Sequence, residues 1–179
     1  MTFTNAALDP QRLPALREAR LVPVSPRLAP CQAVLRSLHW LFLSALAALF
    51  PFLHEDLAPW QPWPAVGLAL LGLFAVGLGW CEARRRAYGL RQHDLLYRRG
   101  LLVQRLQVLP LARLQHIETL SNPVERLFGL ERLVCFTAGG RGADLVIEGL
   151  SRDRAAVVRQ HLLAQLERSG QVHDGASPP

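Results

Sequence analysis

Ser37–Leu53 reads SLHWLFLSALAALFPFL and Pro64–Trp80 reads PAVGLALLGLFAVGLGW. Each run is 17 residues long, and neither holds an Arg, Asp or Glu. As a helix rising 1.5 Å per residue, each spans roughly 25 Å, the short end of a bilayer core. All four Trp stand at the edges: Trp40 near the start of the first run, Trp60 and Trp63 before the second, Trp80 at its end. An interfacial aromatic belt falls at such positions. The linker His54–Pro62 is too short for a domain, so the runs predict a transmembrane helical hairpin over 37–80.

Charge orients the hairpin. All 20 basic side chains are Arg. Arg20, Arg27 and Arg36 precede the first run and Arg84, Arg85, Arg86 and Arg91 follow the second, whereas the linker carries only Glu55 and Asp56. Positive charge stays on the cytoplasmic side, so both termini are expected in the cytoplasm of a two-helix plasma-membrane protein. A cleavable signal peptide is excluded by the polar, Pro-punctuated segment 1–36, taken as a cytoplasmic N-terminal segment. Within the net charge of +6, Arg84–Arg86 read either as a topology signal alone or as side chains that meet anionic headgroups, and not as a nucleic-acid site, since no basic amphipathic helix or zinc motif accompanies them.

Small residues Ala65, Ala69, Gly72 and Gly79 recur along one face of the second run, with Val76 between them. Such a stripe lets helix backbones approach, and Leu41, Ser44 and Ala48 offer a matching seam. Only His39 is ionisable within the runs, near the cytoplasmic end, so the hairpin reads as an anchor rather than a transport path.

Chemistry-bearing motifs are absent. Cys31, Cys81 and Cys135 form no CxxC, and the six His form no HExxH. Ala138–Gly142 lacks the Lys and Ser/Thr of a phosphate loop and reads as a hairpin turn. No enzyme, metal or cofactor is expected.

Beyond the Arg cluster the pattern becomes strand-like. Arg98-Arg99-Gly100 signals a turn, followed by strands at Leu101–Leu109 and Leu114–Ser121, the first ended by Pro110. Asn122-Pro123 opens a helical turn over Pro123–Phe128, which Gly129 stops. Strands follow at Leu133–Ala138 and Asp144–Glu148. Ser151 can cap a helix reaching about Arg168, with Ala155, Val158, Leu162 and Leu166 on one face and Gly170 as its stop. Strands followed by one amphipathic helix predict an α+β domain over 87–168, with a disordered tail at 169–179.

The residues from Tyr88 to Leu163 resemble the bacterial PH-like domain of the YdbS-like membrane proteins. The resemblance is carried by Tyr88-Gly89-Leu90, Asp94-Leu95, Arg98–Leu101, Leu109-Pro110-Leu111, Arg113–Ile117, Pro123–Leu130, Thr137–Gly140, Ile147 and Gly149-Leu150-Ser151. It implies a PH-like antiparallel β-barrel or sandwich capped by a C-terminal helix, at the cytoplasmic face of a bacterial plasma membrane, with no catalytic residue. It also implies partnership with a second PH-like membrane protein or a further copy of the chain. Eukaryotic namesakes bind phosphoinositides near the first hairpin, where this chain has Arg91, Arg98 and Arg99 without the matching motif. The functional expectation is a non-enzymatic assembly module at the membrane. The alternative is an anionic-lipid sensor using Arg84, Arg85, Arg86, Arg91, Arg98 and Arg99.

Overall fold

The computed structural model describes residues 20–49, 62–137 and 142–174, with side chains of the last helix as far as residue 166. Two long helices, α1 (Leu28–Leu49) and α2 (Trp63–Arg85), pack on each other, and both are long and apolar enough to cross a membrane. Each extends past its apolar run at the end nearer the domain. α1 begins at Leu28 rather than Ser37, and α2 continues past Trp80 to Arg85. The end of the first run and the linker as far as residue 61 lie outside the described residues.

Two antiparallel sheets follow. The first has the order β1 (Val22–Pro23), β2 (Ala87–Leu90), β3 (Asp94–Arg99) and β4 (Arg105–Pro110). The second has β5 (Leu114–Leu120), β6 (Leu130–Thr137) and β7 (Leu145–Ser151). A 3-10 turn at Leu111–Arg113 joins them, α3 (Pro123–Leu127) joins β5 to β6, and α4 (Arg152–Asp174) follows β7. The fold is α+β as expected, but the sheets are not closed into a barrel. β4 and β5 are both edge strands, parted by the 3-10 turn.

The segment before the first apolar run is part of this domain. Val22 pairs with Tyr88 and Pro23 with Ala87. Val24 N–H donates to the Arg86 carbonyl at 3.2 Å, and Ser25 N–H donates to the Gly149 carbonyl at 2.8 Å. Residues 22–25 therefore tie the first sheet to β7. The first turn of α1 then enters the core: Leu28, Ala29 and Cys31 are at most 2% exposed. They join Leu95, Tyr97, Leu130, Leu133, Cys135, Leu145, Ile147 and Leu150 beneath Ala155, Val158 and Leu162 of α4. The apolar face expected of α4 is the one that is buried.

Other boundaries shift for local reasons. Gly100 has φ +106°, and a Cβ there would lie 2.0 Å from the Val103 carbonyl oxygen. Only glycine fits that tight turn, so Leu101–Gln104 form the turn and β4 starts at Arg105 instead of Leu101. β6 begins at Leu130, and β7 reaches Ser151. α4 passes through Gly170 to Asp174, where a stop and then a disordered tail were expected; a glycine inside a helix costs only about 1 kcal/mol. The rest of the expected tail, and most of the Ala138–Gly142 turn, lie outside the described residues.

Candidate functional site: the joint between hairpin and domain

α2 runs unbroken to Arg85 and β2 starts at Ala87, so Arg86 alone separates membrane helix from sheet. Adjacent arginines diverge here. Arg84 and Arg85 are exposed, whereas Arg86 is 8% exposed. It donates Nε–H to Glu82 Oε1 at 2.9 Å, Nη2–H to Glu82 Oε2 at 2.8 Å, and Nη1–H to Glu148 Oε2. Burial alone disfavours the charged guanidinium, but the two carboxylates outweigh it and raise the Arg86 pKa above the ordinary arginine value. Expected at the membrane surface, Arg86 is instead a structural cation: Glu82 reaches it from one helical turn earlier, and Glu148 from β7. The Glu82–Arg86 spacing of four residues was visible in the sequence; the third partner, 62 residues away, was not.

Helix α1 joins the same network. Gln32 Nε2–H donates to Glu148 Oε2 at 3.5 Å, and Arg36 Nη2 lies 3.9 Å from Glu82 Oε2. Arg36 Nη1–H also donates to the Ala75 carbonyl at 3.4 Å. Its guanidinium crosses α2 over Gly79, where a Cβ would meet it.

The small-residue stripe is divided. Gly72 and Gly79 are buried, Ala65 is half-buried, and Ala69 is exposed at the margin of a cleft of about 210 Å³ lined also by Trp40, Leu41 and Ser44. A Cβ on Gly72 would lie 2.6 Å from Trp40 Cβ. Trp40 and Arg36 are thus the α1 side chains that use the two glycines.

The six arginines read as a surface set do not form one patch. Arg84, Arg85 and Arg98 share a groove of about 430 Å³ with Leu21, Pro23, Gly100 and Gln104, beside Arg86. Arg84 lies over the Trp80 ring, 5.8 Å from its centroid. Arg99 is directly opposite Arg105 across β3 and β4. Arg91 stands at the other end of the β2–β3 hairpin, 4.0 Å from Asp94 in an open groove with His93 and His161. At the roughly 3.3 Å rise of a strand, β2 puts about 13 Å between these two ends.

Two further polar sites stand apart from this joint. Asn122 caps α3 and accepts from Glu125 N–H at 2.7 Å, while Asn122 N–H donates to Glu125 Oε2 at 3.0 Å. Glu125 is 4% exposed and also accepts from Arg132 Nε–H at 2.6 Å. The Asn-x-x-Glu spacing is a readable capping box that the sequence analysis missed. Gln115 and His116 are both exposed, because the register of β5 shifts between Leu114 and His116. His116 Nε2 lies 3.1 Å from Glu118 Oε1. Among the described residues, no group of three or more His, Cys, Asp or Glu could hold a metal.

Comparison with known proteins agrees with this architecture. The family profile described as Bacterial PH domain matches residues 33–166, taking in both helices and most of the domain. The UPF0699 transmembrane protein YdbT of Bacillus subtilis (strain 168) is 23% identical over 142 residues, covering 79% of this chain and 28% of that relative. The chain thus spans little more than a quarter of the relative's length. No solved structure matches. With a family match over about three quarters of its length, two helices able to cross a membrane and two antiparallel sheets capped by a helix, the chain belongs to the bacterial PH domain family, as a PH-like membrane protein of the YdbS-like kind.

Proposed function

We propose that this protein is a non-enzymatic assembly module at the cytoplasmic face of a bacterial plasma membrane. It would hold a PH-like domain in place for a second PH-like membrane protein or a further copy of itself. The observation that carries this reading is the open edge of β4. The strand ends its sheet, and Leu106 and Val108, on the face shared with Arg98, are 42% and 43% exposed. An edge strand offers unpaired N–H and C=O groups to another strand, and flanking apolar side chains favour such pairing. PH-like domains are generally non-catalytic, which supports the absence of enzymatic activity. The Arg-poor linker between two Arg-rich flanks supports cytoplasmic termini.

Photocrosslinking tests it, with a photoreactive residue at position 106 or 108 of the full chain in native membranes. One membrane protein captured in defined stoichiometry, or a crosslinked dimer of the chain, supports the proposal. A monomer with no adduct from either position rejects it.

A second reading rests on the groove holding Arg84, Arg85 and Arg98, which would take the phosphate of an anionic lipid. It predicts lipid retention that falls with salt. Equal retention of phosphatidylcholine and phosphatidylglycerol at low salt removes it.

A further inference from the structure

The turn between β3 and β4 carries two adjacent exposed apolar side chains at its tip. Its tip is Leu102-Val103, 90% and 71% exposed, and Leu102 is the most exposed large apolar residue among those described. Two such side chains in water at a loop end gain nothing from the fold. Burying each in an apolar phase is favourable.

The position of the tip follows from α2. Gly100 and Gln104 line the same groove as Arg84, Arg85 and Arg86, the residues that end α2 and lead into β2. Arg84 is only four residues past Trp80, about 6 Å along a helix axis. Trp80, with Arg84 over its ring, marks the bilayer interface. The turn therefore stands within about one helical turn of the level at which α2 leaves the membrane.

The base of the turn is charged in a matching way. Arg99 and Arg105 face each other across the last register pair, and Arg98, opposite Leu106, stands on the other face of the same strand end. Like charges directly opposed across two strands repel, and no carboxylate pairs with either among the described ion pairs. An anionic headgroup layer relieves that repulsion. An apolar tip above an arginine collar is the arrangement of a segment seated in a lipid interface.

We propose that Leu102 and Val103 insert into the inner-leaflet interface while Arg98, Arg99 and Arg105 hold anionic headgroups. The occupant of this surface is the lipid of the membrane that α1 and α2 cross. The β3–β4 turn is then a third point of attachment, fixing the domain's tilt on the bilayer. This rests on α1 and α2 being membrane spans, and the test separates the two.

The full chain, as Cys81→Ser, carries an environment-sensitive nitrobenzoxadiazole label on Leu102→Cys, or on His93→Cys at the opposite end of β3. Cys31 and Cys135 are buried. Vesicles contain phosphatidylcholine with or without phosphatidylglycerol, plus lipid spin-labelled near the headgroup. Expected are a blue-shifted emission and at least threefold stronger quenching at 102 than at 93. Arg99→Gln/Arg105→Gln should abolish the increase that phosphatidylglycerol brings. Quenching of tryptophan by the same lipid reports that the hairpin is inserted. Tryptophan quenching with a water-like, unquenched label at 102 overturns the insertion proposal alone. A blue-shifted label at 102 that spin-labelled lipid does not quench means a protein covers the turn, and also overturns it. Absence of both signals overturns the membrane reading itself.

Discussion

Leu28 of the first membrane helix lies directly against Gly149 of β7: a Cβ at Gly149 would stand 2.6 Å from Leu28 Cδ2. Gly149 also has φ +81°, a conformation that side chains resist. Gly149→Ala therefore meets both strain and a clash, and should cost about 2–4 kcal/mol. Leu28→Ala should cost about 2–5 kcal/mol through the cavity it leaves. Combining the two should relieve the clash but not the backbone strain. Thermal unfolding of the detergent-solubilised chain would show the double variant losing less than the sum of the singles.

The hairpin's glycines should differ sharply. Gly72→Ala pushes against the Trp40 Cβ, which has no freedom to move aside, and should weaken helix pairing by about 1–3 kcal/mol. Gly67 and Gly77 have nothing within 4 Å of an added Cβ, so alanine there should be neutral within about 0.5 kcal/mol. Gly79→Ala meets the tip of the Arg36 side chain, which can swing away, and should fall between. Resistance of the compact hairpin to unfolding in mixed detergent micelles ranks them.

Removing one partner at the joint strands a buried charge. Arg86→Gln should cost about 3–5 kcal/mol, because Glu82 and Glu148 lose their shared cation. Arg84→Gln and Arg85→Gln, at exposed positions, should stay within about 0.5 kcal/mol. A double-mutant cycle between Arg86 and Glu148 isolates the part that crosses from α2 to β7.

Replacing Glu125 by Gln keeps an acceptor for the Asn122 N–H but removes the charge that meets Arg132. Replacing it by Ala removes both. The alanine variant should lose about 1–2 kcal/mol more than the glutamine variant, and hydrogen exchange should show the excess at the first turn of α3.

Burial pushes the Cys135 thiol up to about 11 from 9.0. At pH 8 about one such thiol in a thousand is ionised, so maleimide should label exposed Cys81 while Cys135 reacts only after unfolding. The unfolded thiol ionises first as pH rises. Native stability should therefore fall between pH 9.0 and about 11, and Cys135→Ala should flatten that fall.

Much of this was legible in local patterns. Apolar length, Trp at the edges and Arg asymmetry need no tertiary knowledge to mark two spans. Pro123 and Gly129 bracket α3, and the spacing of Ala155, Val158 and Leu162 identifies the buried face of α4. Features that depend on distant partners were not legible. β1 is two residues long, too short for any periodicity, and exists because Tyr88 and Ala87 pair with it. The first turn of α1 looks like a polar, Pro-rich approach until β7 is placed over it. Arg84, Arg85 and Arg86 are chemically identical neighbours, and only the end of α2 and the position of Glu148 turn one of them inward.

The core of the domain is assembled from two stretches of chain, 24–31 and 83–166, with most of the hairpin between them. The order of synthesis then matters. Leu28 and Cys31 leave the ribosome first and wait for strands that emerge only after both helices. Pairing of α1 with α2 brings the two stretches together, so it performs the loop closure that the core requires. A copy whose two helices fail to pair would leave that core without its first piece, Leu28 and Cys31.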